Sequence, residues 1–200
     1  MVIREKYEWA QLWWEEADNA LVKRVLLIGD SITVGYRPYV QEKLKEKFLV
    51  DMLSTSKSID DPSFIKELNY ILNEYQYTLI HFNNGLHGNH VSDDDYESFY
   101  KRVLKILKDK CNNVILVTST PVTVVGDGEQ LDIEADKRVN NRNVIVKKLA
   151  QENNLKVNDL YDEFYNKFDY RCGDGYHYND LGKKAQGEIV AENILYNVIL

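Results

Sequence analysis

The fold prediction starts from one stretch of sequence, Arg24-Val-Leu-Leu-Ile-Gly-Asp-Ser31. Residues 25–28 form a continuous apolar run, and a run without polar alternation is typical of a strand buried on both faces of a sheet. Gly29 then allows the chain to turn sharply. The pattern predicts a central strand with Ser31 at its carboxyl end, which is the edge at which open α/β sheets bind their ligands.

Comparable strand patterns alternate with helical patterns along the rest of the chain. We predict further strands at 48–53, 77–82, 113–120 and 155–159, and helices at 36–47, 62–75, 92–109, 132–153 and from near Asn179 onwards. Strands that alternate with helices of this length pair in parallel through right-handed crossovers. The sequence therefore predicts an α/β protein, a flavodoxin-like three-layer α/β/α sandwich whose parallel sheet has about five strands.

The length of 200 residues suits one domain, which we place at 1–200. Within residues 6–18, Trp9, Leu12 and Trp13 recur at helical spacing. We therefore predict that residues 1–20 form a helical arm that packs on the domain. The aromatic side chains of this arm either pack against the core or line a substrate cleft.

Composition excludes several classes of partner. The net charge of −7 gives no general attraction for phosphate backbones or anionic membranes, so we expect no nucleic acid partner. No apolar run reaches the length of a membrane span or resembles a secretory signal, so we expect a cytoplasmic protein with no membrane partner. Cys111 and Cys172 are expected to be free thiols. The oligomeric state stays open, with a homodimer as one option.

Two distant segments carry residues suited to nucleophilic catalysis. Ser31, directly after Gly29 and Asp30, either caps the following helix or presents its hydroxyl to the cleft, where its own N–H can also face an oxyanion. Asp174 lies three residues before His177, with Gly175 between them. A tight loop of this kind allows the carboxylate to orient the imidazole as a base, although helix starts and metal sites produce the same spacing.

A third segment, Asn83-Asn84-Gly85, follows the predicted strand at 77–82. An asparagine amide at the floor of the cleft is a suitable donor to a tetrahedral oxyanion, but Asn and Gly also form ordinary turns. All three segments fall at the carboxyl ends of strands or in loops that the predicted sheet brings together.

These motifs resemble those of the SGNH (GDSL-type) hydrolase family. Ser31 matches the first block, and Asp174 with His177 matches the last. His81-Phe-Asn-Asn84 resembles the GxND block, with Asn83 in the donor position, although a shift by one residue would make Asn84 the donor. The glycine of the second block is absent, and Ser56 or Ser58 is the predicted backbone donor instead.

The resemblance implies a serine esterase that needs no cofactor and no metal. We favour removal of a short acyl group such as acetyl from a carbohydrate or a similar polar small molecule. The alternatives are a lysophospholipase or acyl-thioesterase of the same fold, and a non-catalytic carbohydrate-binding domain.

Polar residues outside the proposed triad and oxyanion donors are expected to lie in the site, in the core or at the surface. Four are expected to line the site: Asp30, Asn84, His87 and Tyr176. His81 is expected to be a buried core imidazole. His87, His90 and the acidic run Asp93–Asp95 match no tight metal signature, and the acidic run is better explained as favourable charge at a helix start. The polar residues of the long fourth helix are expected to face solvent: Arg138, Asn140, Asn141 and Arg142.

Overall fold

The computed structural model describes residues 3–199, which fold around one six-stranded sheet and a separate hairpin. The strands are β1 (Ala10–Trp13), β2 (Arg24–Gly29), β3 (Leu49–Thr55), β4 (Tyr77–Phe82), β5 (Val114–Val117), β6 (Thr123–Val124), β7 (Asp127–Leu131) and β8 (Lys156–Asn158). The sheet order is β1-β3-β2-β4-β5-β8, while β6 and β7 form the hairpin. Residues 1, 2 and 200 of the predicted domain lie outside the described residues.

Helices connect the parallel strands. They are α1 (Ser31–Leu44), α2 (Pro62–Glu74), α3 (Asp93–Lys110), α4 (Ile133–Glu152), α5 (Leu160–Phe164) and α6 (Asp180–Ile199), with a short 3₁₀ turn at Phe168–Tyr170. Several starts follow from local sequence. Asp61 caps α2 by accepting a hydrogen bond from the Ser63 N–H at 2.7 Å, with Pro62 in the first turn. Ser92 caps α3, and the acidic run occupies its first turn, as predicted.

The predicted α/β sandwich is confirmed. Strands β3, β2, β4, β5 and β8 pair in parallel in this order. The first of them in the chain, β2, is followed by β3 on one side and by β4, β5 and β8 on the other, which is the flavodoxin-like strand order. Two apolar clusters cover opposite faces of the sheet. One contains Phe64, Phe82 and Tyr100, and the other contains Tyr36 and Val40. Because both faces are covered, the strands read as continuous apolar runs.

The predicted helical arm at the N-terminus is wrong. Residues 10–13 form β1, an antiparallel edge strand that pairs with β3 from Ala10 opposite Thr55 to Trp13 opposite Met52. Leu12 packs against the core while Trp13 stays half exposed beneath the Arg37 guanidinium, 4.7 Å from its ring centroid. This in-and-out alternation has the period of a strand, and the pairing satisfies backbone groups that the β3 edge would otherwise expose.

Cys111 is buried, Cys172 is exposed, and both are free thiols, as predicted. None of the helices formed by residues 3–199 has both the length and the apolar character needed to cross a bilayer.

Candidate active site

Ser31 is placed at the carboxyl end of β2 by the residues just before it. Asp30, not Ser31, caps α1, because its Oδ1 accepts a hydrogen bond from the Ile32 N–H at 2.9 Å. A side chain at Gly29 would overlap the Thr33 hydroxyl, so the tight turn requires glycine there. Ser31 is the first residue of α1, where the helix itself leaves the backbone N–H unpaired. Both the hydroxyl and the N–H of Ser31 are thus free of a capping role.

The structure brings Ser31 together with the distant Asp174 and His177. The His177 Nε2 atom lies 2.7 Å from the Ser31 Oγ, and the His177 Nδ1 atom lies 2.6 Å from the Asp174 Oδ2. When Nδ1 carries the proton that it donates to the carboxylate, Nε2 accepts from the serine hydroxyl. This arrangement has the hydrogen-bond order of a Ser-His-Asp triad.

Asp174 has two tasks in its loop. Its Oδ1 accepts hydrogen bonds from the backbone N–H groups of Tyr176, at 3.0 Å, and His177, at 2.8 Å, while its Oδ2 contacts the imidazole. Partial burial acts to raise the pKa of Asp174, but these two N–H groups and the imidazole outweigh it and lower the pKa to about 2. The carboxylate is therefore ionised at neutral pH, as orientation of a histidine base requires.

The loop of Asp174 and His177 is held from two sides. An isolated bridge pairs Arg171 with Tyr178, and the Cys172 N–H donates to the His177 carbonyl at 3.0 Å. The β6–β7 hairpin supports the other side, since the Thr123 N–H donates to the Gly175 carbonyl at 2.9 Å. Gly175 has φ +90°, and a Cβ there would lie 2.7 Å from the Thr123 carbonyl oxygen. Only glycine fits this crossing of the two loops.

A cleft of about 370 Å³ opens over the serine and the histidine. Its walls are formed by Glu5, Ser31, Leu86, His87, Asn89, Tyr176 and His177. The predicted lining residues His87 and Tyr176 therefore border the cleft. The other two, Asp30 and Asn84, are buried beneath it and do not line it. Burial raises the pKa of Asp30, although His87, the Ile32 N–H and His177 oppose this shift.

The structure does not support Asn83 as the oxyanion donor. Its amide nitrogen donates to the Val117 carbonyl at 2.9 Å and to the Ser119 hydroxyl at 3.0 Å, which uses both of its N–H groups. Asn84 donates to the Lys57 carbonyl at 3.1 Å and keeps a second amide N–H. The end of β5, packed beside β4, offers acceptors that attract the Asn83 amide away from the cleft.

The two serines predicted as second-block donors also differ. The Ser56 N–H donates to the Trp9 carbonyl at 3.1 Å, which extends the pairing of β1, so the prediction for Ser56 is wrong. The Ser58 hydroxyl bonds the Asp60 carboxylate, whereas its N–H has no partner among residues 3–199. Ser58 remains the predicted backbone donor of this loop.

His81 is a buried core imidazole, as predicted. It is fully buried in β4, and its Nε2 lies 3.1 Å from the Asn158 amide nitrogen. Burial lowers the pKa of His81 to about 3, so the ring is neutral at physiological pH. The Asn158 amide donates to Nε2, which places the ring proton on Nδ1. His81 therefore belongs to the sheet interior and not to the cleft.

The expectation of a solvent-facing Arg142 is wrong. Arg142 is 1% exposed, and its guanidinium donates to the carbonyls of Gly85 at 2.9 Å, His87 at 2.7 Å and Gly88 at 2.6 Å. It thereby fixes the loop that carries His87 into the cleft. A sequence signal existed, because Arg142 lies on the same helical stripe as Val139 and Val146, which is the buried face of α4.

Each of the two loop histidines, His87 and His90, contacts a carboxylate. His87 Nδ1 lies 2.9 Å from a Glu5 carboxylate oxygen, and His90 Nε2 lies 3.0 Å from a carboxylate oxygen of Asp60. Among residues 3–199, no group of at least three His, Cys, Asp or Glu side chains is arranged to hold a metal ion. Glu5 and Asn89 are site residues that the sequence did not reveal, because neither stands in a motif.

Comparisons of the sequence with protein-family models and with curated proteins find no match. Comparison of the fold finds solved structures that resemble it along most of both chains. An acetyl xylan esterase, AlAXEase, has TM-score 0.71 and 23% identity, with 86% of this chain and 99% of that chain covered. An acetylxylan esterase from Geobacillus stearothermophilus has TM-score 0.68 and 18% identity, with 90% and 96% covered.

A lipase/acylhydrolase from Enterococcus faecalis is similar at TM-score 0.66 and 18% identity, with 86% of this chain and 95% of that chain covered. At such identities the likeness concerns the fold. The chain has the α/β fold of the SGNH hydrolases, as its sequence motifs predict.

Proposed function

We propose that this protein is a serine esterase that hydrolyses carboxylic esters, with Ser31 as nucleophile, His177 as base and Asp174 as the group that orients the base. The observation that carries this proposal is the continuous hydrogen-bonded chain from Ser31 Oγ through His177 to Asp174, with links of 2.7 and 2.6 Å. A capping role accounts for Asp30 but does not account for these two hydrogen bonds. Ser31 and His177 also line an open cleft, where a substrate can reach them.

In the proposed reaction, the Ser31 hydroxyl attacks the ester carbonyl while His177 Nε2 removes its proton. The oxyanion accepts a hydrogen bond from the Ser31 N–H, with the Ser58 N–H as the further donor. His177 then gives its proton to the departing alcohol. Water, deprotonated by His177, then attacks the acyl-enzyme, and His177 returns the proton to Ser31 Oγ as the bond to the acyl group breaks and the acid leaves.

We further propose a short acyl group, such as acetyl, on a carbohydrate or similar polar alcohol. The cleft walls support this, because Glu5, His87, Asn89 and Tyr176 present polar groups and Leu86 is their one aliphatic member within the described residues. An acyl tunnel for a long chain would need an apolar lining. Two of the similar structures are named as acetylxylan esterases, which is consistent with this choice.

The test compares wild type with Ser31→Ala on p-nitrophenyl acetate, with Ser98→Ala, an exposed serine on α3, as matched control. We expect Ser31→Ala to fall to the background rate and Ser98→Ala to match wild type. Equal activity of wild type and Ser31→Ala would refute the nucleophile assignment. A strong preference for the octanoyl ester over the acetyl ester would favour the lipid or thioester alternative. Saccharide binding without hydrolysis would favour the non-catalytic one.

A further inference from the structure

The segment that precedes β1 forms one wall of the cleft. Glu5 lines the cleft together with Ser31, and its Oε1 lies 2.9 Å from His87 Nδ1. The Glu5 side chain is 47% exposed and the His87 side chain 22% exposed. The carboxylate therefore keeps free acceptor positions towards the solvent-filled cleft, and no partner for His87 Nε2 is found within residues 3–199.

Hydrogen bonds to the domain hold this N-terminal segment on both sides of Glu5. Downstream, Trp9 exchanges hydrogen bonds with the loop after β3, its N–H donating to Ser56 Oγ at 2.9 Å. Upstream, the Arg4 guanidinium donates to Ser63 Oγ at 3.1 Å. On the other side of the pair, Arg142 fixes the His87 carbonyl at 2.7 Å. Glu5 and His87 are thus held in place before any substrate arrives, which reduces the entropic cost of binding.

The cleft continues past Glu5 into a second cavity of about 220 Å³. The two cavities share Glu5 and Asn89, and the second is bordered by the polar side chains of Arg4, Glu8, Ser58 and His90 and by the apolar side chain of Ile3. An acyl group bound at Ser31 would leave the alcohol part of the ester to extend along this groove, past its polar side chains. Groups that both donate and accept hydrogen bonds match such walls best.

The negative charge of Glu5 favours neutral alcohols over alcohols that carry a phosphate group. Of the described residues that line the two cavities, Arg4 alone carries a permanent positive charge, and it is paired with Glu8 at 3.3 Å and with Asp61 at 3.4 Å. Glu5 adds a negative charge beside the serine. A phosphate on the substrate would meet this carboxylate without a free cation to compensate it.

We propose that Glu5 and His87 form a subsite for the hydroxyl groups of a neutral, sugar-like alcohol, and that Glu5 is the specificity-determining residue. This inference rests on the proposed esterase function. The Glu5 carboxylate accepts hydrogen bonds from substrate hydroxyls next to the ester, and His87 fixes the carboxylate in place. Acyl carriers with phosphate groups, such as coenzyme A and lysophospholipids, are disfavoured by the same charge.

The test measures kcat/KM for wild type, Glu5→Gln and Glu5→Ala on two acetyl esters. One is a mono-O-acetylated methyl xyloside, which keeps free hydroxyl groups, and the other is p-nitrophenyl acetate, which has none. Because a hydrogen bond to a charged group is worth about tenfold or more, we expect Glu5→Ala to lose at least about tenfold on the xyloside. Glu5→Gln, which keeps an acceptor oxygen but not the charge, should lose several-fold. On p-nitrophenyl acetate, which offers the carboxylate no hydroxyl group, both variants should lose clearly less activity than on the xyloside. Asp18→Asn, which removes an exposed charge from the same N-terminal region, is the matched control.

The outcomes separate this inference from the proposed function. If wild type hydrolyses both esters and Glu5→Gln retains full activity on the xyloside, the subsite is refuted while the esterase stands. A wild-type preference for acetyl-coenzyme A over the xyloside would also overturn the inference. If Ser31→Ala is as active as wild type on p-nitrophenyl acetate, the function itself fails. Equal losses on both esters would show that Glu5 supports the fold of the site and not recognition of the alcohol.

Discussion

Asp174→Asn tests the proposed orientation of the base His177 more sharply than Asp174→Ala does. The Asp174 Oδ1 already accepts the Tyr176 and His177 N–H groups, so an asparagine would keep its carbonyl oxygen there and preserve the turn. Its NH₂ group would then face His177 Nδ1 as a donor. The imidazole would have to place its proton on Nε2, which faces Ser31 and would no longer accept the hydroxyl proton.

The size of the effect follows from the same geometry. A carboxylate and an imidazolium about 4 Å apart attract by about 1 kcal/mol in water and about 4 kcal/mol at an effective dielectric constant of 20. Because the Asp174 side chain is 48% exposed, an intermediate value of about 2–3 kcal/mol applies, or about 30- to 150-fold in rate. The inverted tautomer adds a further loss, so we expect about 10³-fold for Asp174→Asn and about 10²-fold for Asp174→Ala.

The assay is steady-state hydrolysis of p-nitrophenyl acetate, with the Ser31→Ala rate subtracted as background. Circular dichroism and a urea melt should show that Asp174→Asn is folded, because the turn acceptor is retained. An Asp174→Asn enzyme within about tenfold of wild type would refute the assignment of Asp174 as the orienting group. An asparagine variant more active than the alanine variant would refute the tautomer argument.

The other predictions concern stability. Arg142→Ala removes the donor from two buried carbonyls, Gly85 and Gly88, and from the part-buried His87 carbonyl. At about 1 kcal/mol or more for each buried carbonyl, the free energy of unfolding in urea should fall by at least about 2 kcal/mol. A loss below about 1 kcal/mol would contradict this role of Arg142. The pKa of Asp174, lowered to about 2, lies below its unfolded value of about 3.9, so its contacts stabilise the fold above about pH 4 and are lost as the pH falls towards 2. The stability difference between wild type and Asp174→Ala should therefore shrink from pH 6 to pH 2.5, and a constant difference would be inconsistent with the lowered pKa.

Local sequence was sufficient where a pattern is satisfied by near neighbours or by burial alone. The apolar run before Gly29 predicted β2, because a short apolar run that ends at a glycine is typical of a strand covered on both faces. The spacing of Asp174, Gly175 and His177 predicted a loop in which the carboxylate meets the imidazole, and it does so at 2.6 Å. The buried character of His81 likewise follows from its place inside a strand.

Predictions failed where the partner comes from another part of the chain. The spacing of Trp9, Leu12 and Trp13 fits a helix as well as a strand, and the free edge of β3 decided between them. Asn83 is at the predicted strand end, yet acceptors on the end of β5 direct its amide away from the cleft. Arg142 is buried because the loop after β4 offers it a row of carbonyls, which no local pattern shows.

The parallel sheet, the position of Ser31 at a strand end and the pairing of Asp174 with His177 are predictable from sequence, because each depends on apolar periodicity or on residues close in the chain. The 2.7 Å contact of His177 with Ser31, and the place of Glu5 in the same cleft, are visible only in the folded molecule. Those contacts join residues from opposite ends of the chain. Their geometry depends on strand order and loop packing, which result from hydrogen bonds and apolar contacts between distant segments of the chain.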